Sequence, residues 1–367
     1  MIPITELPFF YKSNADPGNG GEPETLPFHL YFDDDLKMFR QKSTSELEVR
    51  LFDVYLKGSL ADGSISSESG KVYIDRILAY LFKHFNFKND SKILEIGFGS
   101  GIILKKLTEH GIENLSGIDP GNHSRVSGLE NINLVTDFFP STKIQGKFDL
   151  IFSFLVLEHI EDPLEYLKNI ISQLAENGKI IIGVPNCGPY IEEGDLSMFI
   201  HEHFNYFTAE SIIHLVSKVN FKIEDLSVIE GSFVITISKN GKINQLTGNP
   251  VSQKQFYEKV ETFLKKFTTL TSEYQKDNLV IYAPIRAMNA LFLTGKKHFR
   301  LVDDNSELHN RYLPFLSSSV ESFDEMAKKP PGCILIFSRT FAERIKKKCE
   351  SDPRLKNVRV LTLSDLN

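Results

Sequence analysis

Three glycines fall within five residues, Gly97-Phe98-Gly99-Ser100-Gly101, just after the short apolar run Ile93-Leu94-Glu95-Ile96, which carries an acidic residue, Glu95. Glycine lets the backbone turn tightly and pass close to a ligand. A helix starting behind such a turn offers unpaired N–H groups to an acidic ligand group. Asp119 follows Gly97 by 22 residues and closes the next apolar run. There its carboxylate can accept two ribose hydroxyls. The pair of features suits a nucleoside-bearing ligand; a purely structural glycine turn is the alternative.

A second cluster is His201-Glu202-His203-Phe204-Asn205-Tyr206-Phe207-Thr208. Histidine is the side chain best suited to move protons near neutral pH. An adjacent Glu can orient an imidazole or balance its charge. The spacing is wrong for a helical HExxH zinc site, and no metal ligand set is expected. An ordinary polar loop, with Tyr206 and Phe207 packed on the core, is the competing reading. His159 has a weaker claim, in a loop after an apolar run, either facing a substrate or packing a helix.

The elements that must position these groups alternate. Apolar strands are expected at residues 93–96, 114–119, 131–136, 148–154 and 179–184, with helices at 102–109 and 163–175 between them. That alternation predicts a parallel sheet covered on both faces. Residues 221–228 and 233–238 predict a terminal antiparallel hairpin around Glu230-Gly231. Helical periodicity runs over 71–85, while residues 1–70 show little regular pattern. Within them the small polar stretch from Gly58 to Gly70 suits a linker or a loop closing over a ligand, with Tyr55, Ser59 and Ser64 as possible lid residues. After Gly248-Asn249-Pro250 a polar helix at 251–276 leads into a second, smaller α/β pattern. Three domains are therefore expected: an N-terminal arm and lid at 1–70, a core at 71–240 and a C-terminal α/β domain at 241–367.

Bulk properties narrow the partners. The 367 residues carry 42 Lys and Arg against 48 Asp and Glu, a net charge of −6 without a basic block. Nucleic acid is not expected, because phosphate binding needs concentrated positive charge. No apolar run approaches the roughly 20 residues that span a bilayer, and no secretory leader is visible. Three scattered cysteines, Cys187, Cys333 and Cys349, suit free thiols in a reducing cytoplasm rather than a disulfide framework or a cysteine zinc site.

The motif Glu95-Ile96-Gly97-Phe98-Gly99-Ser100-Gly101 resembles the first motif of class I S-adenosylmethionine (SAM)-dependent methyltransferases. Gly117-Ile118-Asp119-Pro120 resembles their second-strand acidic motif. Asp137-Phe138 stands where such enzymes hold the adenine. Residues 148–153, ending in Ser153, and 156–163 are similar to their fourth strand and its loop, and 178–186 to their fifth. The resemblance implies a Rossmann-like α/β fold with a seven-stranded core. It implies SAM as cofactor, held by Glu95, Gly97, Gly99, Gly101, Asp119, Asp137, Phe138 and Ser153. A nicotinamide dehydrogenase, which also uses a glycine turn, recedes accordingly.

A narrower resemblance lies further on. Glu202-His203 followed by Tyr206-Phe207-Thr208 is similar to a stretch of the nucleotide-sugar C-methyltransferases, which methylate carbon beside a keto group. Val302-Asp303-Asp304-Asn305 and Tyr312-Leu313-Pro314 resemble patterns in the Rossmann-like C-terminal domain of that family. This implies a nucleotide sugar as acceptor, His203 as general base, Glu202 orienting it, and His159 and Tyr206 completing the catalytic set. The family's N-terminal zinc cysteines are missing, Ile200 replaces a customary Tyr, and Ala283-Pro284-Ile285-Arg286 contains no glycine for a phosphate cradle. A hydroxyl acceptor, and a non-catalytic SAM-binding partner protein, are the alternatives. The chain is expected as a monomer or homodimer.

Overall fold

The computed structural model describes residues 4–9, 25–57, 68–121, 128–241 and 250–366. Two compact units divide it: residues 31–188 with 202–250, and residues 1–30 with 189–201 and 251–367. The division differs from the expected boundaries. Residues 189–201, inside the expected core, go with the C-terminal unit, as do the first 30.

The larger unit is built on a seven-stranded sheet. Its strands in chain order are β1 (Ile93–Ile96), β2 (Leu115–Asp119), β3 (Asn133–Thr136), β4 (Phe148–Phe154), β5 (Leu174–Pro185), β6 (Lys222–Ile229) and β7 (Ser232–Ser238). Their spatial order is β6-β7-β5-β4-β1-β2-β3. The first five run parallel, and β7 pairs antiparallel with both β5 and β6. All four residues of β1 are buried, as are all but one of β4, because helices cover both faces. One face packs Leu94, Ile96, Ile151 and Ile182 in one apolar cluster; the other packs Ile93, Leu150, Phe152 and Ile181 against the helix Glu68–His84. The chain reverses its winding between β1 and β4. In open α/β sheets, ligands bind at such a switch, outside the carboxyl ends of the strands.

The sparse pattern over residues 1–70 misled. Glu6–Pro8 pairs with Thr25–Pro27, Leu30–Asp33 and Met38–Gln41 join Asn205–Tyr206 in a three-stranded sheet, and Ser45–Lys57 is a helix. Tyr55, expected in a linker or lid, therefore lies on that helix. These strands are three or four residues long, too short for a period to announce them, and Met38–Gln41 also pairs with Asn205–Tyr206 far along the chain. The turn between two of them is built by Asp33, whose Oδ1 accepts the N–H groups of Asp35 and Leu36 at 2.9 Å each. Its Oδ2 takes Arg40 at 2.9 Å. Ser59, Ser64 and most of the proposed lid loop lie outside the described residues.

The smaller unit holds a five-stranded parallel sheet, in order Val320–Glu321, Arg300–Val302, Val280–Tyr282, Cys333–Ile336 and Arg359–Thr362. The helix Gln253–Tyr274 opens with a reciprocal cap, Ser252 with Gln255, and buries Phe263 and Phe267 against this sheet's core. All three cysteines are buried and unpaired with one another. No helix among the described residues is long and apolar enough to cross a membrane.

Candidate active site

The glycine turn leaves β1 and enters the helix Ile102–Glu109. Gly97 has φ of 78°, and its N–H donates to the Ile118 carbonyl on the neighbouring strand at 2.8 Å. A Cβ at Gly97 would meet Val156 Cγ2 at 2.3 Å; one at Gly101, φ of 80°, would meet Leu129 Cδ1 at 2.5 Å. These two positions admit only glycine, since L side chains avoid that backbone region and the space is taken.

Two carboxylates face this turn. Asp119 closes β2 with its Oδ2 accepting the Gly99 N–H at 3.0 Å and its Oδ1 the Gly121 N–H at 2.8 Å. Glu95 is 3% exposed at the end of β1. Burial, then the charge of Asp119, pushes its carboxyl well above the usual range, and Oε2 has no hydrogen-bond partner. An unsatisfied buried carboxyl is costly unless a cation or donor meets it. Asp137 carries a lowered carboxyl, held by the Ser141 hydroxyl at 2.8 Å and by Lys143 at 3.1 Å. Beside it Phe138 is 42% exposed and stacks on Phe52 with centroids 5.7 Å apart. Ser153 points inward: it is 1% exposed, with its hydroxyl 3.4 Å from that of Tyr166.

The second half of the site forms where the loop after β4 meets residues 202–205. Leu155 starts that loop with φ of 56°, a costly conformation for a branched residue, held by its N–H on the Gly183 carbonyl at 2.8 Å. A short 3₁₀ turn follows, Leu157–His159. Hydrogen bonds staple the two segments. Phe204 N–H donates to the Glu158 carbonyl at 2.8 Å. Asn205 Nδ2 donates to the carbonyls of Leu157 at 3.2 Å and Ile160 at 2.6 Å. His159 Nδ1 lies 2.7 Å from the Glu202 carbonyl. A carbonyl only accepts, so Nδ1 carries the proton and Nε2 keeps its lone pair. Burial pushes His159 down to about 4, leaving the imidazole neutral at physiological pH.

His159 and His203 meet edge to face at 5.0 Å, and Tyr206, fully buried, backs His203 at 6.3 Å. The Tyr55 hydroxyl stands 3.3 Å from His159 Nδ1. Burial, with the charges of Glu202 and Glu158, raises it well above the ordinary phenol, so it stays a protonated donor. Glu202 is 8% exposed, and its bond to this set runs through the carbonyl to His159. His201 faces elsewhere: it belongs to the other unit, 3.1 Å from the Leu26 carbonyl and flanked by Phe9 and Phe28.

Glu158 escaped the sequence reading. It is 1% exposed, and burial pushes its carboxyl up to about 8. The signal was an acid placed directly after the largely apolar run Phe152-Ser153-Phe154-Leu155-Val156-Leu157 and beside a histidine. Glu158, His159 and His203 place one potential metal-ligand atom each within 4.8 Å of one another, where no ligand set was expected.

Residues 68–226 match the family model described as a methyltransferase domain. This is a SAM-dependent methyltransferase domain. Its relatives include a ubiquinone biosynthesis O-methyltransferase of Rickettsia bellii, 24% identical over 174 residues, which span 42% of this chain and 71% of the relative. EEF1A lysine methyltransferase 2 of Mus musculus is 35% identical over 111 residues, 28% of this chain and 43% of its own length. A tRNA U34 carboxymethyltransferase of Mannheimia succiniciproducens is 27% identical over 117 residues, 29% of this chain and 35% of its own length. These names point to three different acceptors.

SAM is the cofactor, and the residues fit it. The unpartnered Glu95 oxygen suits a cationic ligand end, and the glycine turn has no room for side chains.

The Asp-Asp-Asn pattern of the smaller unit is engaged within that unit. Asp304 accepts the Tyr282 hydroxyl and Lys348, each at 2.6 Å, Asp303 accepts the Asn305 N–H at 2.9 Å, and Asn305 caps the next turn.

Proposed function

We propose that the enzyme methylates a small acceptor, a carbon beside the keto group of a nucleotide-linked sugar. The observation that carries this reading is the stapled group of His159, His203, Glu202 and Tyr55 at the carboxyl end of the sheet, beside the cofactor turn. The likeness of Glu202-His203 and Tyr206-Phe207-Thr208 to the sugar C-methyltransferase stretch supports the substrate class. The absence of a basic block supports a small acceptor over nucleic acid.

SAM supplies an electrophilic methyl on a sulfonium, ready for in-line displacement. Asp119 would take the ribose hydroxyls, Glu95 would steer the methionine end, and Phe138 with Asp137 would border the adenine. Acceptor and methyl must lie about 3 to 3.5 Å apart. His203 removes the acceptor proton, and Tyr206 behind it fixes the ring. Tyr55, a protonated donor, stabilises the oxygen on which negative charge grows. The stapling of residues 157–160 to 202–205 holds this geometry before substrate arrives. In this reading the enzyme works in the cytoplasm as a monomer or homodimer.

A second reading is a hydroxyl acceptor, favoured by the O-methyltransferase name of the Rickettsia relative. It needs His203 as base but no enolate. Incubation with SAM and a panel of keto and hydroxyl sugar nucleotides, read by mass spectrometry, separates the two. Methylation of a keto sugar with exchange of its α-hydrogen in deuterium oxide supports carbon transfer. A methyl on hydroxyl substrates alone overturns it.

A further inference from the structure

We propose that Glu158, His159 and His203 form a binding site for one divalent transition-metal ion. Their ligand atoms converge within 4.8 Å, and all three residues belong to one compact unit. Glu158 Oε1 stands 3.9 Å from His159 Nε2. That is too far for a hydrogen bond, yet near the separation of about 3.4 Å between two ligands of a tetrahedral ion with bonds of about 2.1 Å.

A second observation points the same way. Glu158 is 1% exposed, and its Oε2 has no hydrogen-bond partner. Buried carboxylates are paired or coordinate metals. Three tyrosines, Tyr55, Tyr73 and Tyr166, lie close enough to feel the Glu158 charge, and no Lys or Arg is among the influences on its carboxyl. The site therefore offers an unpartnered carboxyl oxygen and an imidazole lone pair to a cation. His159 already has the outer bond of a ligating histidine, Nδ1–H on the Glu202 carbonyl, which aims the Nε2 lone pair inward. Both anchoring segments are stapled together by the Phe204 and Asn205 bonds, so the ligands are preorganised.

Two imidazoles and one carboxylate select ions such as Zn²⁺, Fe²⁺ or Co²⁺ over Mg²⁺ and Ca²⁺, which prefer oxygen. Three protein ligands leave a coordination position open. Resting on the function proposed above, that position suits an oxygen of the acceptor, which the ion would orient and polarise. A ligating His203 holds the ion, and its role as proton acceptor belongs to the ion-free enzyme.

The full-length protein, stripped with chelator, is titrated with Co²⁺ and followed by its visible d–d absorption and by calorimetry. Zn²⁺ competes as a second probe. Saturation at one equivalent, a d–d spectrum with nitrogen ligands and displacement by Zn²⁺ are expected. Glu158→Gln and His159→Ala should weaken the affinity at least about tenfold, while SAM binding, measured on the same samples, reports that the fold is intact. No saturable binding to the unaltered protein overturns the proposal by itself. Binding that persists unchanged in both variants also overturns it. Loss of SAM binding in the unaltered protein would instead overturn the methyl-transfer reading, so the two failures are distinguishable.

Discussion

Each unit of this chain sends a parallel strand through a turn into a helix, and the two turns differ in what they leave unsatisfied. After β1 come three glycines with positive φ and two carboxyls, Glu95 and Asp119, turned toward the turn. After Val280–Tyr282 comes a single left-handed residue, Ala283, with φ of 61°, and Pro284 opens the helix at once. The polar groups there are satisfied within the unit: Tyr282 and Lys348 on Asp304, Arg300 on Glu321 at 2.6 Å. One topology thus carries two outcomes. A turn becomes a ligand site when it keeps backbone room and a buried oxygen without a hydrogen-bond partner, as Glu95 Oε2 is, and stays structural when side chains consume both.

The comparison breaks most visibly at His203. Its replacement by alanine should lower kcat by about 10²- to 10⁴-fold, the usual worth of a positioned proton acceptor. SAM affinity should stay within a factor of about two, since His203 lies in the acceptor half. Steady-state kinetics beside calorimetry check this; an unchanged kcat removes the assignment.

Gly97→Ala should cost about 2 kcal/mol or more of stability and weaken SAM binding. It adds left-handed strain to a contact with Val156 at 2.3 Å. Denaturant midpoints compared with the parent protein read the first effect, and calorimetry the second. Glu95→Gln should leave folding intact or slightly improved, because a buried carboxyl without a partner becomes a neutral amide. It should nevertheless weaken SAM binding by about tenfold, through lost attraction to the cationic methionine end. Ala283→Gly should have the smallest effect, a stabilisation under about 1 kcal/mol. Glycine relieves about 1 kcal/mol or more at positive φ and recovers cap preference, while the freer unfolded chain offsets about half. Thermal melting detects it, and SAM affinity should not change.

Much of the larger unit could be read from residues in order. β4 and the helix Ile102–Glu109 have the expected bounds, because an apolar run between turn residues fixes a buried strand and the glycine turn fixes the helix start. The expected antiparallel hairpin is likewise present as β6 and β7. What resisted was set by partners distant in sequence. Met38–Gln41 has Asn205–Tyr206 as one of its two strand partners. His201 and His203 are two residues apart and look equivalent, yet one meets the Leu26 carbonyl and Phe28, and the other His159. Glu158 carries chemical weight only because three elements close over it, and burial is a tertiary property. The segment 189–201 shows no compositional break, although it leaves one unit for the other.

The central claim is that the turn after β1, with Asp119, holds SAM, and isothermal titration calorimetry of SAM tests it most directly. The unaltered protein should bind one equivalent with micromolar affinity, and Asp119→Ala should weaken it by about 10- to 100-fold, the worth of one or two hydrogen bonds to a charged group. Equal affinity in the two proteins, or no binding to the unaltered one, would contradict the account.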